Sequence, residues 1–191
     1  MKALFLFAAA IVFAFSQAAY TQELPSKIRG YKVHKAEVII RTSAKPVEKN
    51  APNEAVILLG KPEIADIALS GITIDIGAEI RATGQSGSVD FLTFNDFRIN
   101  GLPVKIEEYT HKFTFKKDES VLLPKPVQVF IGSLNIARAA RRELIESEDE
   151  WRVTGTVFVF GKFKKFGFGF KRVVPVKIDL KVANPLRSLK S

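Results

Sequence analysis

The chain has 191 residues, of which 47% are hydrophobic and 26% are charged, with no cysteine, two histidines and a formal net charge of +9. This length suits one domain with a short extension, and the composition is that of a globular protein rather than a disordered one. The absence of cysteine excludes disulfides, thiolate zinc sites and cysteine nucleophiles. With only His34 and His111 as further candidates, we expect neither a metal site nor a cofactor.

The N-terminus has the pattern of a secretory signal peptide. Lys2 precedes an apolar run from Ala3 to Phe15, and Ser16-Gln17-Ala18 supplies small residues before a cleavage site. The run is too short to cross a bilayer core of about 30 Å as a helix. We therefore predict that residues 1–18 are a signal peptide and that the protein is exported, periplasmic or secreted, with an uncleaved membrane anchor or a buried core helix as the alternative.

The positive charge is concentrated at the C-terminal end. Residues 151–191 contain ten Lys or Arg and one acid, whereas residues 19–150 are nearly neutral. Such asymmetry favours an anionic partner: a membrane, lipopolysaccharide or another envelope polymer, with nucleic acid least favoured in an exported protein. A solvated basic face that aids solubility is the alternative.

The first elements belong to a predicted N-terminal extension over residues 19–60. It contains two candidate strands, Val33–Arg41 and Ala55–Leu59, separated by a polar loop. A main domain over residues 61–181 and a basic tail over 182–191 follow.

Apolar residues at every second position predict that the main domain is built of strands. One row runs from Ile72 to Ala82, and a second row holds Tyr109, His111, Phe113 and Phe115. The second row makes His111 a hydrogen-bonded core histidine rather than a ligand or a base. Between the rows, Asn100-Gly101 predicts a tight hairpin, because both residues tolerate positive φ.

One helix is predicted from Ser133, a suitable N-cap, to about Glu146. Many strands and one helix indicate an all-β antiparallel sandwich, like fibronectin III or immunoglobulin domains, with one short helix.

The C-terminal strands carry alternating Phe and basic residues. With a turn expected at Gly161 to Lys165, we predict that the even-numbered Phe side chains point inward and that Phe163, at the loop tip, is exposed. Basic and aromatic residues can together contact lipid headgroups. The candidate anionic-surface site consists of Lys162, Phe163, Lys164, Lys165, Lys171 and Arg172. In the alternative interpretation, these residues are an ordinary core strand and its solvated face.

The chain shows no pattern of a known catalytic site. It lacks a G-x-S-x-G elbow, a Walker motif and a dinucleotide-binding glycine motif, and neither histidine has an evident catalytic setting. We predict that the protein is not an enzyme, and a hydrolase is the least favoured function.

The order of elements resembles the LEA14-like family, the type 2 late embryogenesis abundant or water-stress and hypersensitive response domain. The resemblance rests on Lys61-Pro62-Glu63-Ile64, the Ile72 row, the Asn-Gly hairpin, Pro126-Val127-Gln128-Val129, and Trp151 to Val157. Gly84-Gln85-Ser86-Gly87 stands where the family usually has an Asn-Pro-Asn turn. The resemblance implies a stably folded, monomeric Greek-key sandwich without catalytic residues, associated with desiccation and stress tolerance.

These expectations leave three functions open. The first is a stress-protective or envelope-associated protein acting through surface contacts, including contacts with client proteins. The second is a module that binds a lipid or another apolar ligand, which sixteen Phe residues make conceivable. The third is a protein that binds anionic surfaces such as membranes or lipopolysaccharide.

Overall fold

A computed structural model describes residues 24–42, 55–135, 137, 150–165 and 168–185, and of Lys165 the backbone only. The predicted signal peptide, most of the predicted helix and residues 186–191 of the predicted tail lie outside the described residues. Residues 133–135 are helical and directly follow the strand that ends at Gly132. The predicted helix was likewise placed from Ser133.

Strands make up most of the described chain, as the period-two pattern predicts. In chain order they are β1 (Lys27–Ile28), β2 (Tyr31–Val33), β3 (Val38–Thr42), β4 (Ala55–Leu59), β5 (Glu63–Ala68), β6 (Gly71–Ile76), β7 (Ala78–Ala82), β8 (Ser86–Ile99), β9 (Leu102–Pro103), β10 (Lys105–Ile106), β11 (Phe113–Phe115), β12 (Ser120–Leu122), β13 (Val127–Gly132), β14 (Glu150–Lys165) and β15 (Phe168–Ala183).

The strands form three sheets in two layers. The large sheet has the order β1-β2-β15-β14-β8-β11, with β9 beside β8; the β6 sheet has the order β10-β13-β6-β5, and the β7 sheet has the order β12-β7-β4-β3. Ile74 of the β6 sheet packs with Trp151 of the large sheet. Ala82 of the β7 sheet packs with Val174 and Val176 of the large sheet. The two small sheets thus cover one face of the large sheet, its inner face, and the protein is an all-β sandwich.

Two strand pairings are parallel, which the predicted antiparallel sandwich did not include. Strand β2 runs parallel to β15, and β3 runs parallel to β4. Both pairings involve the predicted extension, where Val33–Arg41 is not one strand. The His34 amide donates to the Val173 carbonyl at 2.9 Å, and the chain then leaves the large sheet for the β7 sheet. The strands of residues 24–59 are therefore hydrogen-bonded into both layers.

The predicted row from Ile72 to Ala82 is divided between two sheets at Gly77. Strand β6 ends at Ile76, and β7 begins at Ala78 in the other small sheet. The row nevertheless keeps its parity, because Ile74 and Ala82 are both buried. The Gly77 carbonyl accepts a hydrogen bond of 2.8 Å from the Gly60 amide, which ties the crossing point to the end of β4.

The Asn100-Gly101 hairpin is confirmed. Both residues have positive φ, 48° and 79°, and the turn places Ile99 opposite Leu102. This geometry matches the right-handed twist of the strands it joins.

His111 is exposed, so its prediction as a core histidine was wrong. Tyr109 forms a single bridge with Leu92, and the next strand begins only at Phe113. The alternating row is therefore interrupted at His111, whose exposed ring lies 5.2 Å from the ring of the buried Tyr109.

Candidate functional site

The sequence-predicted site lies at one end of the hairpin formed by β14 and β15. The two strands pair from Glu150 opposite Ala183 to Lys165 opposite Phe168. We call residues 150–160 and 173–183 the hairpin base, and residues 162–165 and 168–172 the hairpin tip.

The register of the hairpin fixes which face each side chain occupies. Phe163 lies opposite Phe170, so an odd-numbered residue of β14 shares a face with an even-numbered residue of β15. Val174 and Val176 of β15 are buried on the inner face, so the odd-numbered residues of β14 must point inward as well. The prediction placed the even-numbered Phe side chains of both strands inward and was wrong for Phe158 and Phe160 of β14.

Phe163 is therefore a core residue. It is 8% exposed, and its ring lies 6.0 Å from that of Phe115. The predicted exposure of Phe163 assumed a turn at Gly161 to Lys165, but β14 continues through that segment and stays paired with β15. Phe166, another even-numbered Phe of the C-terminal segment, lies outside the described residues.

Phe158 and Phe160 lie on the opposite face of the large sheet, its outer face. Phe160 is 1% exposed; its ring stacks on that of Phe91 at 4.4 Å and makes a T-shaped contact with that of Tyr31 at 5.2 Å. Phe158 and Phe160 were predicted to be core residues, and they do pack in a hydrophobic cluster, but on the outer face instead of the inner face. Tyr31 of β2 covers this outer cluster, and its hydroxyl donates to Asp90 at 2.9 Å.

Phe168 and Phe170 are the exposed aromatic residues, 70% and 40% respectively. Both have the parity of the inner face, but they lie beyond the described strands of the small sheets. Both side chains were predicted to point into the core. They do lie on the inner face, but they are exposed rather than buried. The guanidinium of Arg172 lies 4.5 Å from the centroid of the Phe170 ring and makes a cation–π contact with it.

Lysines occupy the outer face of the same tip. Lys162 and Lys171 are directly opposite one another, and Lys164 is the next outward residue of β14; all three are exposed. Lys171 lies over the ring of Tyr31, with its Nζ 4.3 Å from the centroid. The tip therefore has aromatic side chains on one face and cations on the other, with Arg172 beside the aromatics.

The structure thus brings together most of the predicted site and changes its aromatic members. Lys162, Lys164, Lys171 and Arg172 lie at the tip, as does the backbone of Lys165, whereas Phe163 does not contribute to its surface. Sequence reasoning missed Phe168 and Phe170 as surface residues. No local pattern marks their exposure, because alternation fixes the face of a side chain but not whether another layer covers that face.

An apolar cavity of about 110 Å³ lies between the large sheet and the β6 sheet. Its lining is aliphatic and aromatic throughout and includes Phe94, Ile99, Val129 and Trp151. Pockets for drug-sized ligands span about 300–1,000 Å³, and an engineered apolar cavity of about 150 Å³ binds benzene. The cavity is smaller than both and has no room for a lipid chain.

Neither a metal centre nor a membrane-spanning helix is found in the described ranges. No three His, Asp or Glu side chains converge as metal ligands among these residues. In the same part of the chain, no helix is both long enough and apolar enough to cross a bilayer. The hydroxyl of Tyr109, beside the exposed His111, is hydrogen-bonded to the backbone. It donates to the Lys125 carbonyl at 3.0 Å and accepts from the Lys125 amide at 3.1 Å.

The fold and the site together define a two-layered all-β protein with a basic and aromatic hairpin tip. Its sequence matches no protein-family model and no curated protein. Among solved structures, it is similar to a crystal structure of a protein from Archaeoglobus fulgidus. The two share 12% identity and a TM-score of 0.38, over 66% of this chain and 96% of the other. A likeness at that level does not establish a common fold.

Proposed function

We propose that the protein is a non-catalytic binding protein that attaches to anionic surfaces, in particular membranes, through its hairpin tip. The observation that carries the proposal is the placement of Phe168, 70% exposed, on the opposite face of the tip from Lys162, Lys164 and Lys171. A strand hairpin of this kind can lie in the interface with its rings among the acyl chains and its ammonium groups at the phosphates.

The magnitudes indicate that both parts of the tip are needed. A basic residue near an anionic membrane contributes about 1 kcal/mol, and fully burying a Phe side chain contributes about 1.5–3 kcal/mol. Phe168 and Phe170 are already partly covered, so their contribution lies at the lower end. Aromatic insertion and charge attraction are therefore comparable, and the binding should depend on both salt and lipid charge.

The setting of this contact follows from the sequence. The signal-peptide pattern predicts export, and the LEA14-like order of elements predicts a monomeric stress-protective or envelope-associated role. Under this proposal, the tip is the part of such a protein that touches the membrane or envelope polymer. The small volume of the apolar cavity favours contact at this surface over carriage of a lipid in the interior.

Co-sedimentation of the mature protein with vesicles tests the proposal. We expect binding to vesicles of phosphatidylglycerol and phosphatidylcholine, a decrease in binding as salt rises, and little binding to phosphatidylcholine alone. Phe168→Ser should weaken binding roughly fivefold, the effect of about 1 kcal/mol. Leu122→Ser is the matched control, since Leu122 is also 70% exposed but belongs to β12.

A second matched pair tests the charge. Lys171→Gln and Lys177→Gln remove the same charge from exposed positions on the same strand, one at the tip and one at the base. Only Lys171→Gln should weaken binding substantially. Equal binding to neutral vesicles, or equal losses for the tip and control variants, would contradict the proposal.

A further inference from the structure

A surface depression of about 360 Å³ lies where β2 joins β15, at the boundary between the hairpin tip and the hairpin base. Its basic lining residues are Lys32, His34, Lys171 and Arg172, and its other lining residues are Val33, Gly169 and Phe170. No acidic side chain is among these residues, so the depression has a strongly positive lining.

The parallel pairing of β2 with β15 places two cations side by side. Lys32 is the register partner of Arg172, so the two side chains leave the sheet on the same face from strands about 4.8 Å apart. Like charges in directly opposite positions destabilise a sheet. Within the described part of the chain, neither side chain has an acidic partner. A bound anion would remove this repulsion.

Arg172 is already oriented at this site. Its guanidinium lies 4.5 Å from the centroid of Phe170, which limits the positions that the side chain can take. The planar guanidinium can still donate two parallel hydrogen bonds to an oxyanion. Lys32, which is exposed, supplies the second positive charge as an ammonium group.

We propose that the Lys32–Arg172 pair binds a phosphate monoester. A monoester carries a charge of about −1.5 to −2 at neutral pH, which matches the two cations, whereas a diester carries only one negative charge. This chemistry is shared by a free phosphate and by a lipid headgroup with a terminal phosphate. As a headgroup site, the pair deepens the proposed membrane function and rests on it, because Phe170 borders both the depression and the inserted face of the tip.

The lipid arm of the test compares phosphatidic acid with phosphatidylglycerol in vesicles of equal surface charge. We expect the mature protein to bind the phosphatidic acid vesicles more tightly. Arg172→Gln and Lys32→Gln should each reduce binding to phosphatidic acid roughly fivefold, the effect of losing one basic contact. Lys177→Gln controls for the charge, and the difference between the two lipids should disappear in the Arg172 and Lys32 variants.

The soluble arm titrates inorganic phosphate into isotope-labelled protein and follows its amide resonances. We expect concentration-dependent shifts at residues 32–34 and 170–172, which Arg172→Gln abolishes. Shifts at these residues without any binding to vesicles would identify a soluble phosphate as the ligand and would contradict only the membrane proposal. Equal binding to the two lipids, with no phosphate-dependent shifts in the depression, would overturn this inference; binding that still depended on Phe168 would then leave the membrane proposal intact.

Discussion

The hairpin base and the hairpin tip are parts of the same two strands, yet they have opposite relations to solvent. In the base, Phe160 and Val173 are almost fully buried on the outer face, and Val174 and Val176 are buried on the inner face. In the tip, the inner face carries the exposed Phe168 and the outer face carries lysines. Alternation of side chains is the same in both; what differs is whether another layer covers the sheet.

The boundary between the two regions lies where β2 pairs with β15. Strand β2 pairs with β15 only at Arg172 and Val173, and its Tyr31 covers the outer face as far as Phe160. The same kinds of residue therefore stabilise the fold on one side of this boundary and are available for binding on the other. Substitutions at equivalent residue types should separate the two roles.

The largest difference is expected between two phenylalanines. Phe160→Ala should lower the free energy of unfolding by about 3–5 kcal/mol, because it leaves a cavity between Phe91 and Tyr31. Phe168→Ala should change it by less than about 0.5 kcal/mol. Urea denaturation of both variants measures the difference. Similar losses would mean that base and tip are equally packed.

A smaller difference is expected between two glycines of the hairpin. A Cβ at Gly161 meets the backbone oxygen of Ser88 on β8, whereas a Cβ at Gly169 meets nothing within 4 Å. Gly161→Ala should therefore cost about 1–3 kcal/mol through forced separation of β14 and β8. Gly169→Ala should be close to neutral. The same denaturation measurement tests both, and a neutral Gly161→Ala would show that β8 does not hold the hairpin tightly.

The smallest expected effect concerns the boundary residue Tyr31 at alkaline pH. Burial, followed by the hydrogen bond to Asp90 and the charge of Asp90, raises the pKa of Tyr31 above its ordinary value of 10.0. A raised pKa gives stability that is fully present below pH 10 and is lost as the pH rises through the folded-state pKa.

Tyr31→Phe removes this ionisation. The stability of the variant should decline less than that of the wild type above pH 10. Thermal melts of both proteins at a series of pH values measure the difference. Parallel declines would show that Tyr31 does not contribute to the pH dependence.

Much of the fold was accessible from the sequence because burial follows local periodicity. The row from Ile72 to Ala82 keeps its predicted parity, and the Asn100-Gly101 turn has the predicted conformation. The interruption at His111 was not accessible, because alternation in sequence does not reveal whether a partner strand is present. The parallel pairing of β2 with β15 joins residues distant in the chain, so Lys32 could not be assigned to the site.

The composition of the tip was predictable, but its geometry was not. Four of the predicted cations lie on or beside the tip, because a cluster of basic residues in a hairpin is solvated wherever the turn falls. Placing the turn a few residues early put Phe163 at the surface, whereas it lies in the core. Phe168 has the predicted face, and its exposure depends on whether another layer covers that face, which the sequence does not show.

The short reach of β2 also bears on self-association. Ahead of Arg172, the edge of β15 has no neighbouring strand among the described residues, and an unpaired edge can accept a strand from another copy of the chain. Lys171 lies where this open edge begins, beside Tyr31 of β2, and charged lysines are a common means of discouraging such edge-to-edge pairing. Neutralising the lysines of the tip should therefore favour aggregation, so that the residues proposed to attract membranes also keep the protein in solution.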